Sequence, residues 1–342
     1  MSHPKSEKRM EEVDPTRTAA SGGILGMLRK GNNLQTAATL LVLLIMCALF
    51  AALSDRFLTI SNFQNLMRNS ASLIIAACGM TVIMIARGLD LSVGSVLAAA
   101  SVLAAALAST GTPLSLAFGA ALVFGAAVGL TNGLIIANLS VSPIIVTLGM
   151  LNIARGIAYL ITPSAILVGL PPNWSDIGTG KLLGMPLPLL IAMAVALGFH
   201  LLTTHTAFGK RIYAIGGNEE AARLSGINVS RTLIVLYVLC GLTAALAGIL
   251  LASRVGAGDP NVGVGFELQV IAAVIIGGTS LSGGEGRIVG TILGAFIITV
   301  LANGLNLAGV EPFWQWIAQG VVLIAAIIID RQVQRGVTSV GR

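Results

Sequence analysis

Residues 229–252 read VSRTLIVLYVLCGLTAALAGILLA, and no charged residue follows Arg231 in this stretch. About 20 apolar residues are enough for an α-helix to cross the hydrocarbon core of a bilayer. The stretch therefore predicts a transmembrane helix. The whole chain has the same character, because 55% of its residues are hydrophobic and only 10% are charged. A soluble domain carries about 25% charged residues, so bilayer is the solvent that this composition fits.

Nine further apolar runs extend this pattern in both directions along the chain. They lie at roughly 34–53, 71–87, 91–110, 113–137, 142–162, 183–204, 265–281, 286–307 and 313–330. The second and third runs meet at residues 88–95, and the run at 265–281 is short and carries Glu267, so nine or eleven spans also fit. The predicted fold class is an all-α integral membrane protein with about ten transmembrane helices.

The distribution of lysine and arginine predicts the orientation of these spans. If both termini lie in the cytoplasm, fifteen Lys and Arg residues fall inside, four fall outside and one lies within a span. Cytoplasmic loops carry such an excess of basic residues. The net charge of +6 therefore indicates membrane orientation rather than a nucleic-acid partner. We expect a multi-pass protein of a bacterial inner membrane with both termini in the cytoplasm.

Three segments follow from this pattern of spans. Residues 1–33 are polar and mixed in charge, lack the early apolar core of a cleavable signal peptide, and are predicted to be a flexible cytoplasmic tail. Residues 34–330 form the predicted transmembrane domain, and 331–342 form a second cytoplasmic tail. The outside loop at about 163–182 is long enough to form an ordered external cap.

The residues that could carry catalysis or bind metal are sparse. The three cysteines lie singly within apolar runs, and the histidines form no relay or metal-ligand spacing. We therefore predict no catalytic residues, no metal site and no cofactor. The cysteines are Cys47, Cys78 and Cys240, and the histidines are His3, His200 and His205.

The inside loop at about 205–228 contains a predicted short helix. Asn218 is a good N-cap, and Glu219 and Glu220 follow in the first turn, where acids complement the helix dipole. Gly226 then ends the helix. On physical grounds such a helix is either a simple connector or a surface that presses its small residues, Ala221 and Ala222, against a partner.

Asp90 is a carboxylate at the boundary of a span, where an unpaired charge is costly. Ser92 and Gly94 follow it. One interpretation makes Asp90 the N-cap of the third span, accepting the amide protons of residues 91–94. A second makes the segment a break in a discontinuous helix that lines a translocation route. A third pairs Asp90 with Arg87.

A few polar residues within spans have two interpretations each. Asn132 either forms an interhelical hydrogen bond in a close-packed face marked by glycines four residues apart, or is part of a pathway. Asn152 and Arg155 share one helix face, and Arg155 either lines a pathway or snorkels outward. Asn303 and Asn306 either line the route or pack helices. The spaced glycines are Gly125, Gly129 and Gly133.

Three separated motifs stand out: GLDLSVGS at 88–95, AIGGNEEAARLSG at 214–226 and AVIIGGTSLSGGEG at 273–286. They resemble motifs of ABC importer permeases of the ribose, xylose and arabinose type. The resemblance spans about residues 60–330 and implies a type II-like importer permease. It implies that Glu219, Glu220, Ala221, Ala222 and Gly226 form a coupling helix that docks into a cytoplasmic ATPase subunit. A periplasmic sugar-binding protein, a second permease subunit and a monosaccharide substrate are implied as well.

The segment LSGGE at 281–285 looks like the signature of ABC ATPases, but it runs directly from one apolar run into another. The chain contains no GxxxxGK[ST] phosphate-binding loop, so this segment is predicted to be a glycine-rich cytoplasmic turn.

A stand-alone secondary transporter or channel is the competing hypothesis. A proton-coupled carrier would place several carboxylates or histidines within its spans, and such carriers often show inverted repeats. The chain shows neither feature clearly, while sparse amides and hydroxyls suit a weak pathway for a neutral sugar. The permease function is therefore preferred.

Overall fold

The structure is a computed structural model that describes residues 31–162 and 166–340, with side chains described for 36–162 and 166–328. Most of the predicted tail at 1–33 therefore lies outside the described residues. A 3-10 helix spans Pro172–Ser175, and β1 (Lys181–Leu182) pairs antiparallel with β2 (Met185–Pro186). The helices are α1 Gly31–Leu53, α2 Ile60–Ile85, α3 Val93–Ser109, α4 Leu114–Leu139, α5 Pro143–Ile161, α6 Asp176–Thr179, α7 Leu187–His205, α8 Ala207–Gly217, α9 Glu219–Leu224, α10 Val229–Val255, α11 Phe266–Ile276, α12 Ile288–Leu307 and α13 Pro312–Val340.

Within the described ranges, 7 helices are long and apolar enough to cross a membrane: α1, α2, α4, α5, α7, α10 and α12. Three shorter apolar helices accompany them, namely α3, α11 and the Pro312–Ile328 part of α13. Each of these ten helices overlaps one of the ten predicted apolar runs. The prediction of an all-α, multi-pass membrane protein is confirmed.

One predicted boundary is wrong. α2 begins at Ile60 rather than near residue 71. The prediction missed the first turns because their polar residues lower the hydropathy there. Asn62 in this early part is nevertheless buried. At the other end of the chain, the apolar part of α13, Pro312–Ile328, lies close to the predicted run at 313–330, and the helix itself extends to Val340.

Helices α3 and α11 are shorter than the hydrocarbon core of a bilayer is thick. With 17 and 11 residues they rise about 26 and 17 Å, against a hydrocarbon core of about 30 Å. Each follows an irregular segment, 86–92 before α3 and 256–265 before α11. The predicted run at 265–281 therefore contains only half a span, which ends where Gly278 adopts a φ of 90°.

Helix α10 is the centre of the bundle and packs against α2, α3 and α4. Its contact with α4 is made by glycines. A Cβ atom on Gly129 would overlap the Tyr237 carbonyl, and one on Gly125 would overlap the Gly241 carbonyl. The two backbones touch with almost no side chain between them, so the predicted close-packed glycine face is confirmed.

The loop between α5 and α7 packs onto the end of α10 at Ala252 and Ser253. Trp174 is buried and donates from Nε1 to the Ala252 carbonyl at 3.1 Å. Ser253 Oγ donates to the Trp174 carbonyl at 2.6 Å and accepts from the Gly178 amide at 2.9 Å. From residue 166 onward, the predicted external cap is thus fastened to the core by buried hydrogen bonds.

Candidate functional site

The predicted short helix after Asn218 is present as α9, Glu219–Leu224. The Asn218 side chain accepts a hydrogen bond from the Ala221 amide at 3.0 Å, as the N-cap assignment requires. Glu219 and Arg223, one turn apart, form an ion pair at 2.8 Å. Gly226 has a φ of 81°, a conformation that glycine adopts without strain, and the chain then turns into α10.

The two faces of α9 differ in exposure. Ala222 is only 4% exposed and packs within the chain itself, so the implied contact of this alanine with a partner is not available in this conformation. Glu220 and Ala221 are exposed on the other side. Leu224 is 82% exposed, an unusual state for a leucine at the end of a short polar helix. The outward face of α9, consisting of Glu220, Ala221 and Leu224, is the surface open to a partner.

Arg87 joins the end of α2 to the last residues of α8, directly before α9. Its Nε donates to the Gly216 carbonyl at 2.7 Å, and its Nη2 donates to the Gly217 carbonyl at 2.8 Å. The residue has a φ of 64°, which is uncommon for a side chain with a Cβ atom. These bonds use the guanidinium, so the hypothesis of a salt link from Arg87 to Asp90 is wrong.

The glycine-rich segment 281–285 packs against the same place. The Gly284 amide donates to the Ile85 carbonyl at 2.8 Å, and Tyr213 Oη donates to the Gly286 carbonyl at 2.8 Å. Gly283 and Gly284 both have a φ of 79°. The segment is the turn that was predicted, and it ties the start of α12 to the ends of α2 and α8.

Asp90 lies in the irregular segment before α3 and is 2% exposed. One carboxylate oxygen accepts from the Ser92 amide at 2.8 Å and from the Ser92 hydroxyl at 2.5 Å. This is an Asx turn, and Ser92 rather than Asp90 is the residue that precedes the helix. Asn132 of α4 donates to the same hydroxyl at 3.2 Å. The Asp90 carboxylate thus accepts one of the predicted amide protons, that of Ser92, but the N-cap position belongs to Ser92. The buried cluster joins the break before α3 to α4.

Arg155 does not snorkel. Its Nη1 donates to the Pro260 carbonyl at 2.6 Å and to the Val262 carbonyl at 2.8 Å, both in the irregular segment before α11. The same segment meets Gly94, where a Cβ atom would overlap the Gly263 carbonyl and the Glu267 carboxylate. Arg155 of α5 thus satisfies two carbonyl groups of this non-helical backbone, and the absence of a side chain on Gly94 lets the segment lie directly against α3.

The remaining amides have different surroundings. Asn152 is exposed and donates only to the Leu148 carbonyl of its own helix, at 3.2 Å. Asn303 exchanges two side-chain hydrogen bonds with Asn62, at 3.1 and 2.8 Å, which joins α12 to α2. Asn303 and Asn306 also border a cavity of about 340 Å³, which we call the polar cavity. Its other polar lining residues are Asn69, Ser72, Arg254, Gln269, Thr299 and Gln315.

Comparison with known proteins decides between the classes of membrane protein that this geometry allows. Residues 62–327 match the family model described as branched-chain amino acid transport system / permease component. The chain belongs to this permease family. The match includes α9, the segment before α3 and every lining residue of the polar cavity, while α1 lies outside it. The permease is accordingly a transport subunit and not an enzyme.

Curated relatives cover nearly the whole permease. It is 42% identical over 300 residues to the ribose import permease protein RbsC of Escherichia coli strain K12, covering 86% of this chain and 94% of the relative. It is 41% identical over 301 residues to RbsC of Bacillus subtilis strain 168, covering 87% and 94%. The L-arabinose transport system permease protein AraH of E. coli K12 is 39% identical over 294 residues, covering 86% and 89%. No solved structure matches the permease significantly.

Sequence reasoning missed several residues of the polar cavity. Asn69 precedes the predicted start of the second span, and Arg254 and Gln315 lie at predicted span ends, where a polar residue is unremarkable. Only the run of Asn and Gln residues at 62–69 was a usable signal, because an amide-rich first half is unusual for a transmembrane helix.

Removing the Arg87 side chain is expected to loosen the end of α8, directly before α9. In Arg87→Ala the Gly216 and Gly217 carbonyls lose their donors, and amide hydrogen exchange in residues 214–226 should become on the order of tenfold faster. Hydrogen-exchange mass spectrometry of the permease in nanodiscs measures this directly. Arg231→Ala, another exposed arginine at the start of α10, is the matched control. Equal exchange in both variants would contradict the assigned role.

Proposed function

We propose that the permease is the membrane-spanning subunit of an ATP-driven ABC importer that moves a monosaccharide across a bacterial inner membrane. The similarity to RbsC over 94% of that relative's length is the observation that carries this proposal. The permeases named for ribose, L-arabinose and D-allose are 35–42% identical to this chain, so the substrate class is a sugar rather than the amino acid in the family's description.

The outward face of α9 supports the ATP-driven part of the proposal. An ABC importer needs a permease surface on the cytoplasmic side that an ATPase subunit can move. α9 is capped, short and joined directly to α10, the central helix of the bundle. Glu220, Ala221 and Leu224 would enter the cleft of the ATPase, and movement of α9 would be transmitted to α10. A catalytic role is assigned to none of these residues.

The other partners follow from the same proposal. Two permease subunits, either two copies of this chain or this chain and a related one, would enclose the route. A periplasmic sugar-binding protein would deliver the monosaccharide to the surface formed by the loop at 166–182. Both termini would lie in the cytoplasm with α9, in agreement with the excess of basic residues on that side.

Uptake in cells tests the proposal. The permease, its cognate ATPase and its binding protein would be produced in a strain that lacks its own ribose and leucine importers. We expect uptake of labelled ribose or a related sugar, loss of this uptake when the Walker A lysine of the ATPase is replaced, and no uptake of labelled leucine. Leucine uptake would assign the amino acid substrate instead. Sugar uptake without a functional ATPase would favour the secondary transporter.

A further inference from the structure

We propose that the polar cavity is a monosaccharide-binding site in the permease, near the outer end of the translocation route. The inference rests on the proposed function and adds the place and the groups that contact the sugar. The volume of the polar cavity, about 340 Å³, lies within the range of small-molecule sites, which begins at about 300 Å³.

The position of the polar cavity places it on the side of the bundle opposite α9. Arg254 lies in the last turn of α10, while the first residue of that helix, Val229, is close to α9. The two residues are about 38 Å apart at 1.5 Å per residue. Asn306 likewise lies in the last turn of α12, at the end away from the 281–285 turn. A sugar that the binding protein releases on the periplasmic side would reach this cavity before it reaches any residue near α9.

The groups that line the polar cavity suit a neutral polyol. They are five amides, two hydroxyls and one guanidinium, and no carboxylate lines the cavity among the described residues. Amides both donate and accept, as a sugar hydroxyl does, so each can bind a hydroxyl in either orientation. A zwitterionic amino acid would find no carboxylate there for its ammonium group.

Several of these groups have hydrogen-bonding capacity that the protein leaves open. No hydrogen bond connects the Asn306 side chain to any other described residue. Gln315 uses only its Nε2, which donates to the Val310 carbonyl at 2.9 Å. Arg254 Nη1 donates to Asn69 Oδ1, which fixes the guanidinium while its other N–H groups remain available. These open donors and acceptors surround one cavity, so they are available to a ligand that carries several hydroxyl groups.

The polar cavity also has an apolar wall. Leu73, Leu251, Phe266 and Ile298 line it beside the amides. A sugar ring has apolar C–H faces between its hydroxyls, so a mixed wall matches it better than a fully polar one. The few hydrogen bonds also suit weak binding, which a translocation route needs because the sugar must leave again.

The test compares Asn306→Leu and Arg254→Met with the wild type in proteoliposomes that contain the ATPase and the binding protein. We expect ATP-dependent ribose uptake to fall at least about tenfold in each variant, as the loss of one or two hydrogen bonds implies. ATP hydrolysis stimulated by the sugar-loaded binding protein should persist, because α9 is untouched. Asn138→Leu, an exposed amide at the far end of α4, is the matched control and should transport normally.

A second measurement reports occupancy without transport. Asn306→Cys in a Cys47→Ala background leaves only the buried Cys78 and Cys240 as other thiols in the described part of the chain. A high concentration of ribose should slow labelling of the new thiol by a small methanethiosulfonate, and leucine should not. Wild-type sugar uptake combined with normal uptake in both cavity variants and no protection would overturn the cavity assignment alone. Absence of sugar uptake by the wild type would instead overturn the proposed function.

Discussion

Replacing Gly129 with valine is expected to remove nearly all folded permease from the membrane. The Cβ atom of any larger residue would overlap the Tyr237 carbonyl and approach the Val238 Cα within 2.9 Å. These are backbone atoms of a buried helix, so no side-chain rotation relieves the overlap and α4 must separate from α10. Overpacking costs about 1–3 kcal/mol where side chains can shift, and a backbone contact should exceed that range.

The matched control is Gly119→Val on the same helix. A Cβ atom on Gly119 meets nothing within 4 Å, so the same change in helix propensity occurs there without the overlap. Fluorescence-detected size-exclusion chromatography of detergent extracts gives the amount of folded protein. We expect Gly119→Val to resemble the wild type and Gly129→Val to lose its monodisperse peak. Equal peaks for the two variants would show that α4 and α10 do not pack as described.

Replacing Ala221 with arginine is expected to abolish ATP-dependent transport while the permease stays folded. Ala221 lies on the outward face of α9, so a long cationic side chain meets only solvent in the isolated permease. In the assembled importer it would occupy the space that the ATPase cleft needs. Steric exclusion of a docked partner costs several kcal/mol, which corresponds to more than about a hundredfold loss of affinity.

Co-purification of the ATPase with the permease measures this effect. Ala207→Arg, which adds the same side chain at an exposed site in the first turn of α8, is the matched control. We expect the control to retain the ATPase and Ala221→Arg to lose it. Retention of the ATPase and of its stimulated hydrolysis by both variants would mean that α9 is only a connector.

Local sequence signals were enough to predict α9 and the glycine face. Asn218, the two glutamates and Gly226 act within one or two turns, so their pattern specifies the helix without knowledge of its neighbours. The spacing of Gly125, Gly129 and Gly133 likewise defines a face of α4, although not the identity of the helix that it meets. The ten apolar runs were predictable because the hydropathy of a span is also a local property.

Contacts between distant segments could not be predicted. Arg155 binds carbonyls about a hundred residues away, and Arg87 binds Gly216 rather than the nearby Asp90. The choice among the interpretations of Asp90 depended on where Ser92 and Asn132 come together. The polar cavity depends on five helices at once, so its members looked like ordinary residues of span ends.

The most direct test of the account is accumulation of labelled ribose in liposomes that contain purified permease and ATPase, with the sugar-binding protein outside. We expect the sugar to accumulate above its external concentration only when ATP is supplied to the ATPase. The Ala221→Arg variant should lose that accumulation. Equilibration of the sugar through the permease alone, without the ATPase or ATP, would contradict an ATP-driven importer and identify a carrier or channel.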